Sequence, residues 1–274
     1  MVGSVRECKN LDRKKQSKNL KNFMSANSLC LNCTETINGK FCINCGQKSD
    51  THRITLKHFL FHDILHGVWH MEKAIFFTTK EVVTRPGFAA LDYISGKRIK
   101  YYNIFSLIVL ILGFNLFLYH YYNYLMLTIR GISDAGDSTN SALLQFATKF
   151  EKPLMLLLIP MMAICSYITF NKRKFNFAEH LIISGYVFVG YLLITTAGVI
   201  LCFFNLFEQN FIEDLVTYIE RVITVLFIVF CYYQVTKLDY SKVKFALRML
   251  LFSLIFIFQV FLVLLIMSVF TTKK

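Results

Sequence analysis

Charge is scarce in this chain. Only 17% of its 274 residues are Asp, Glu, Lys or Arg, where a soluble domain averages about 25%. Apolar residues make up 55% and aromatic ones 16%. Met249–Phe270 has no charge at all, and its only polar residues are Ser253, Gln259 and Ser268. A soluble chain of this length has no core that could hold several such runs. A bilayer can, because about 20 apolar residues in a helix cross its hydrocarbon. The composition excludes an ordinary soluble domain and implies a multi-span membrane protein.

Other absences narrow the reading. No apolar run of about 7–15 residues follows the basic N-terminal residues, so no cleavable signal peptide is expected. The cysteines are then expected in a reducing compartment. There is no Ser-His-Asp set, no His-Glu-x-x-His motif and no Gly-rich phosphate loop; Gly96-Lys97 lacks the upstream glycine and strand that such a loop needs. No charge lies at the middle of an apolar run, where ion-coupled transporters and pumps keep one. The net charge of +13 comes from Lys and Arg at the N-terminus and in short loops beside apolar runs. That is a topology signal, and nucleic-acid binding is not expected.

The sharpest motif is Cys30-Leu31-Asn32-Cys33, followed by Cys42-Ile43-Asn44-Cys45-Gly46. Two Cys-x-x-Cys knuckles supply four thiolates, the ligand set of a closed tetrahedral zinc site. Gly46 suits the tight turn after a knuckle, and Asn38-Gly39 is a hairpin signal. Two disulfides or a redox pair are the alternatives, and a reducing compartment disfavours disulfides. A head this small cannot fold by burial alone, so bound Zn2+ would supply roughly 10–16 kcal/mol of folding energy. Cys8 reads as an ordinary thiol, and Cys165, Cys202 and Cys231 as packing residues within spans.

From Leu56 to about Thr79 the apolar period is helical, with Leu60, Phe61, Ile64, Leu65, Val68 and Ile75 on one face. The opposite face carries His58, His62, His66 and His70, each one turn from the next. Such a row can share a second metal ion or sense pH. It can equally be the polar face of an amphipathic helix at the membrane surface. Arg85-Pro86-Gly87 ends this region, Pro by stopping a helix and Gly by permitting a turn. Lys97, Arg98 and Lys100 read as headgroup anchors before the first span. Glu179-His180, at a span edge, is either a site or an interfacial helix start.

Five spans are expected, over 104–122, 153–170, 181–207, 215–235 and 245–270. Pro160 marks a kink in the second, and the fourth is the weakest. The basic loops 171–180 and 236–248 belong on the cytoplasmic side, and the loops 123–152 and 208–214 outside. The N-terminus is then cytosolic and the C-terminus outside. Tyr101, Tyr102, Tyr121, Tyr122, Tyr232 and Tyr233 are expected in an interfacial belt. The predicted fold is an all-α integral membrane bundle with a basic tail over 1–28 and a zinc ribbon over 29–48. An amphipathic region over 53–100 leads into a membrane domain over 101–274.

The order Cys45-Gly46-Gln47, Arg53-Ile54-Thr55, a His-rich helix, Pro86-Gly87 and Tyr93-Ile94-x-Gly96-Lys97-Arg98, then several spans, is similar to a known pattern. It resembles a bacterial inner-membrane family catalogued only as a domain of unknown function, number thirty-six sixty-seven. The resemblance covers residues 30–102 by motif and the rest by hydropathy. Thr34 stands where the family tends to have Gly, and Asn103 near a common Pro. The resemblance implies no activity and no catalytic residue. Three function classes follow: a non-enzymatic docking or membrane-organising protein with a cytosolic partner, a carrier or channel for a neutral or lipid-like solute, and a membrane metalloenzyme using the His58–His70 row.

Overall fold

A computed structural model describes residues 28–37, 39–49, 73–130, 142–206 and 211–272. The chain forms two compact units. One comprises Met1–Arg53 and Ser95–Lys100; the other comprises Ile54–Ile94 and Tyr101–Lys274. The row His58, His62, His66 and His70, Cys8 and most of the basic tail lie outside the described residues.

In the first unit, β1 (Ser28–Leu29) pairs antiparallel with β2 (Thr36–Ile37), and Phe41 bridges antiparallel to Lys48. Each pairing closes around one knuckle. The hairpin turns are therefore the knuckles themselves, and Gly39 lies between the two hairpins instead of at the tip of one. The two Cys-x-x-Cys stretches, not the Asn-Gly pair, form the turns.

The second unit is helical: α1 (Lys73–Thr84), α2 (Pro86–Ile94), α3 (Ile104–Arg130), α4 (Ala142–Thr169), α5 (Phe177–Cys202), α6 (Phe211–Thr236) and α7 (Lys242–Thr272). Among the described residues, four helices are long and apolar enough to cross a membrane, over Ile104–Ile129, Phe177–Cys202, Asp214–Thr236 and Lys242–Val269. The second predicted segment falls within α4, which runs on through Pro153 and Pro160; its apolar described part is Met155–Thr169. The segment expected to be weakest is one continuous helix, α6.

The core sits around α5. Half of its apolar window is buried within the protein, against 22% for α3, 17% for α6 and 11% for α7. Small and polar residues set its contacts, as helices in lipid require. Gly190 leaves room for the Phe227 ring of α6, and Gly198 for the Glu220 carboxylate. Asn115 of α3 donates to Thr195 and Thr196 at 3.2 and 3.1 Å, and Ser184 lies 3.4 Å from the Tyr232 hydroxyl. Cys165 and Cys231 are buried packing residues.

The tyrosine belt is only partly a belt. Tyr121 and Tyr233 are exposed, but Tyr101, Tyr102, Tyr122 and Tyr232 are buried. Tyr101 packs edge-on to Phe77, Tyr93 and Tyr186. Its hydroxyl points to Asp92 at 3.2 Å and Glu81 at 3.4 Å, and Arg85 pairs with both carboxylates. Burial first, then those carboxylates, hold the Tyr101 hydroxyl protonated far above its usual range. A tyrosine with such partners gains more inside than at an interface.

The two basic loops meet at one end of the bundle. Arg173 pairs with Asp239 at 2.5 Å, Lys172 Nζ donates to the Asp239 carbonyl at 2.6 Å, and Lys172 N donates to the Tyr240 hydroxyl at 3.2 Å. Lys172 and Arg248 also lie over the Tyr240 ring, at 4.8 and 4.6 Å.

Candidate metal centre

The four knuckle cysteines converge. Their sulfurs all lie within 4.8 Å of one another. The closest pairs cross between knuckles, Cys30 to Cys45 and Cys33 to Cys42, each at 3.5 Å. A tetrahedron with metal–sulfur bonds of about 2.3 Å has edges of about 3.8 Å, so these two pairs are within a few tenths of an ångström of a cage edge and the widest is within about 1 Å of one. All four thiols are free.

Local backbone chemistry builds the cage twice. In the first knuckle Thr34 N donates to Cys30 O and Cys30 N to Glu35 O, both at 2.8 Å. In the second, Gly46 N donates to Cys42 O and Cys42 N to Gln47 O, again at 2.8 Å. Each ring of bonds turns the chain so that both sulfurs of a knuckle face one point. The Asn32 side chain, foremost, lowers the Cys45 thiol to about 6, helped by the Gln47 backbone against an opposing burial effect. A backbone bond from Glu35 pulls Cys33 the same way, but burial and the three neighbouring thiols outweigh it and push it up. Four thiols this close cannot all ionise unaided, and a divalent cation would supply the missing charge. The donor set fits one thiophilic tetrahedral ion and leaves no open coordination position.

The turn after each knuckle needs a left-handed residue. Gly46 has φ 75° and Thr34 φ 63°. Thr34 thus fills the glycine position of the first knuckle, with its hydroxyl donating to Cys33 O at 2.6 Å. A β-branched residue there costs about 1–2 kcal/mol, of which glycine's extra freedom when unfolded takes back roughly 0.4–1 kcal/mol. Thr34→Gly is expected to stabilise the unit by about 0.5–1 kcal/mol. A chelator titration of the metal should show about threefold tighter retention; weaker retention would refute the strain.

Gln47 is the residue that sequence reasoning missed. It is 3% exposed, and its side chain bonds the Ser95–Lys100 segment twice. Nε2 donates to the Gly96 carbonyl, and Oε1 accepts from Ile99 N at 3.3 Å. Lys97, Arg98 and Lys100, expected as headgroup anchors, therefore share one unit with the four cysteines. A signal existed in the Cys-Gly-Gln motif, but nothing in it names a partner about fifty residues away.

Residues 72–114 match the family described as Protein of unknown function (DUF3667). The matched stretch takes in α1, α2, Ser95–Lys100 and the first part of α3, and leaves the knuckles outside it. No curated protein and no solved structure matches the chain.

Proposed function

We propose that this chain is a non-enzymatic integral membrane protein of a bacterial inner membrane, whose cytosolic zinc ribbon is an organising and docking module. One observation carries the reading: the buried Gln47 side chain ties the second knuckle to the segment bearing Lys97, Arg98 and Lys100. Metal binding thereby fixes the shape of the basic stretch that precedes α3. Four thiolates with no open position suit a structural ion, and zinc is the ion they suit best. Leu29, Leu31, Phe41 and Ile43 stand at matching places in the two hairpins and are all exposed, Ile43 at 90%. Such residues on a small unit suit a protein partner.

A photo-crosslinker at Ile43 in the full-length protein should capture one protein species in cells. That band should disappear when Leu31 is replaced by Asp. Crosslinks to lipid alone would overturn the docking reading. Purified protein should hold one zinc per chain, unchanged by His62→Gln with His66→Gln; a second metal equivalent would revive the metalloenzyme reading. Orientation is tested separately. A reporter active only outside the cytoplasm should work when fused after Lys274 and fail at Lys242; activity at Lys242 would reverse the assignment of the basic loops.

A further inference from the structure

The two knuckles are copies of one repeat. Leu29-Cys30-Leu31-Asn32-Cys33-Thr34-Glu35 recurs twelve positions on as Phe41-Cys42-Ile43-Asn44-Cys45-Gly46-Gln47. The backbone repeats with it. Cys30 N donates to Glu35 O as Cys42 N donates to Gln47 O, each at 2.8 Å. Leu29 pairs with Thr36 as Phe41 pairs with Lys48. The left-handed residue is Thr34 in one copy and Gly46 in the other. Glu35 therefore holds the place in the first copy that Gln47 holds in the second.

The two side chains have different fates. Gln47 is 3% exposed, and its carboxamide is spent on the Ser95–Lys100 segment. Nε2 donates to the Gly96 carbonyl, and Oε1 accepts from Ile99 N at 3.3 Å. Glu35 is exposed, and no hydrogen bond or ion pair among the described residues engages its carboxylate. It is the only acid among the described residues of the ribbon. The knuckle uses its backbone carbonyl alone, so the fold gives no reason for an acid here.

The change from amide to carboxylate changes what can be held. An amide offers a donor and an acceptor, and Gln47 grips a peptide segment by one carbonyl and one N–H. A carboxylate offers acceptors alone. Its occupant must bring donors, and preferably positive charge. A guanidinium brings both in one planar fork that matches a carboxylate.

We infer that Glu35 is the docking point for an arginine-bearing segment of the protein partner, the counterpart in the first knuckle of the hold that Gln47 has in the second. This rests on the docking reading above and names the partner's chemistry. The two oxygens of Glu35 accept from the guanidinium. Leu29, 60% exposed and paired with the residue after Glu35, gives the rest of the segment an apolar contact.

The test places a photo-crosslinker at Thr36 of the full-length protein, beside Glu35, and sequences the crosslinked peptide. That peptide should belong to another protein and carry an arginine close to the crosslink. Glu35→Arg should cut capture at least about tenfold, the factor expected of one charge-assisted pair, while the metal content of the protein stays unchanged. Glu35→Gln, which keeps the shape and loses the charge, should fall between. Replacing the partner's arginine by Glu should abolish capture by the wild type and restore it to Glu35→Arg. Equal capture by wild type and Glu35→Arg, with the Ile43 crosslink intact, would overturn the inference and leave docking to the apolar residues. A crosslinked peptide without arginine, or one from the basic tail of the same chain, would overturn it too. If neither Thr36 nor Ile43 captures a protein, the docking reading itself falls, and this inference with it.

Discussion

Cys42→Ser should strip the metal from the N-terminal unit and unfold it, while the helical bundle stays intact. The apolar core of that unit is Cys30, Ile37 and Cys42, with Cys33 and Cys45 packed against it. Four of those five residues are the cysteines that could hold the ion. Without an ion, one isoleucine and a few thiols must offset the ordering entropy of more than twenty residues, and they cannot. Structural zinc supplies roughly 10–16 kcal/mol in comparable peptides, or about 3 kcal/mol for each of four thiolates. Losing one should weaken zinc retention by over a hundredfold.

The effect spreads beyond the ligand. Cys42 N donates to Gln47 O, and the Gln47 side chain holds Gly96 and Ile99. As the second knuckle opens, the Ser95–Lys100 segment loses its clasp. Trypsin should then cut at Lys40, Lys48 and Lys97, sites that the folded, metal-loaded unit protects. Chelation of the wild type should give the same digest. A Cys42→Ser protein that keeps its zinc and resists trypsin at Lys40 and Lys48 would show that the four cysteines do not hold the unit together.

Some of this was open to reading from the chain, and the reason is chemical. A metal cage demands one residue type at fixed spacing, so Cys30, Cys33, Cys42 and Cys45 announced themselves. A bilayer excludes charge, so the apolar runs announced the spans. What escaped depends on contacts across the fold. Gln47 looks like any glutamine until Gly96 stands beside it. Glu179 and His180 are neighbours in sequence with unrelated tasks, one closing a helix cap and the other lining a cavity. Tyr101 and Tyr232 carry the composition of an interfacial belt, yet their hydroxyls find partners inside. Composition reports that a ring is amphipathic; only the neighbours decide where its polar end goes.

Gly87 is the sharpest such case, and it yields the other large effect. Pro-Gly reads as a turn, but Pro86 opens α2 and Gly87 is its second residue, packed on α6. A Cβ at Gly87 would lie 2.4 Å from the Cys231 carbonyl oxygen, 2.6 Å from Gln234 Cβ and 3.0 Å from Val235 N. Two of these are backbone atoms of a 26-residue helix, which cannot swing aside as a side chain can. The approach also serves a bond: Gln234 Oε1 accepts from Gly87 N at 3.0 Å and from Phe88 N at 3.4 Å, capping α2 from a neighbouring helix. Pushing α2 off α6 costs about 1–3 kcal/mol in strain and roughly another 1 kcal/mol for the lost cap. Gly87→Ala should therefore lower stability by about 3 kcal/mol, read as a lower thermal midpoint of the full-length protein in detergent. Gln234→Ala, which removes the cap without the clash, should cost about 1 kcal/mol. The sign is the test. For a glycine in an open helix, alanine is the better helix former by about 1 kcal/mol and would raise the midpoint. A raised or unchanged midpoint for Gly87→Ala would mean that α2 and α6 do not meet at this position. A lowered one, with Gln234→Ala adding little on top, would show that clash and cap are parts of one contact.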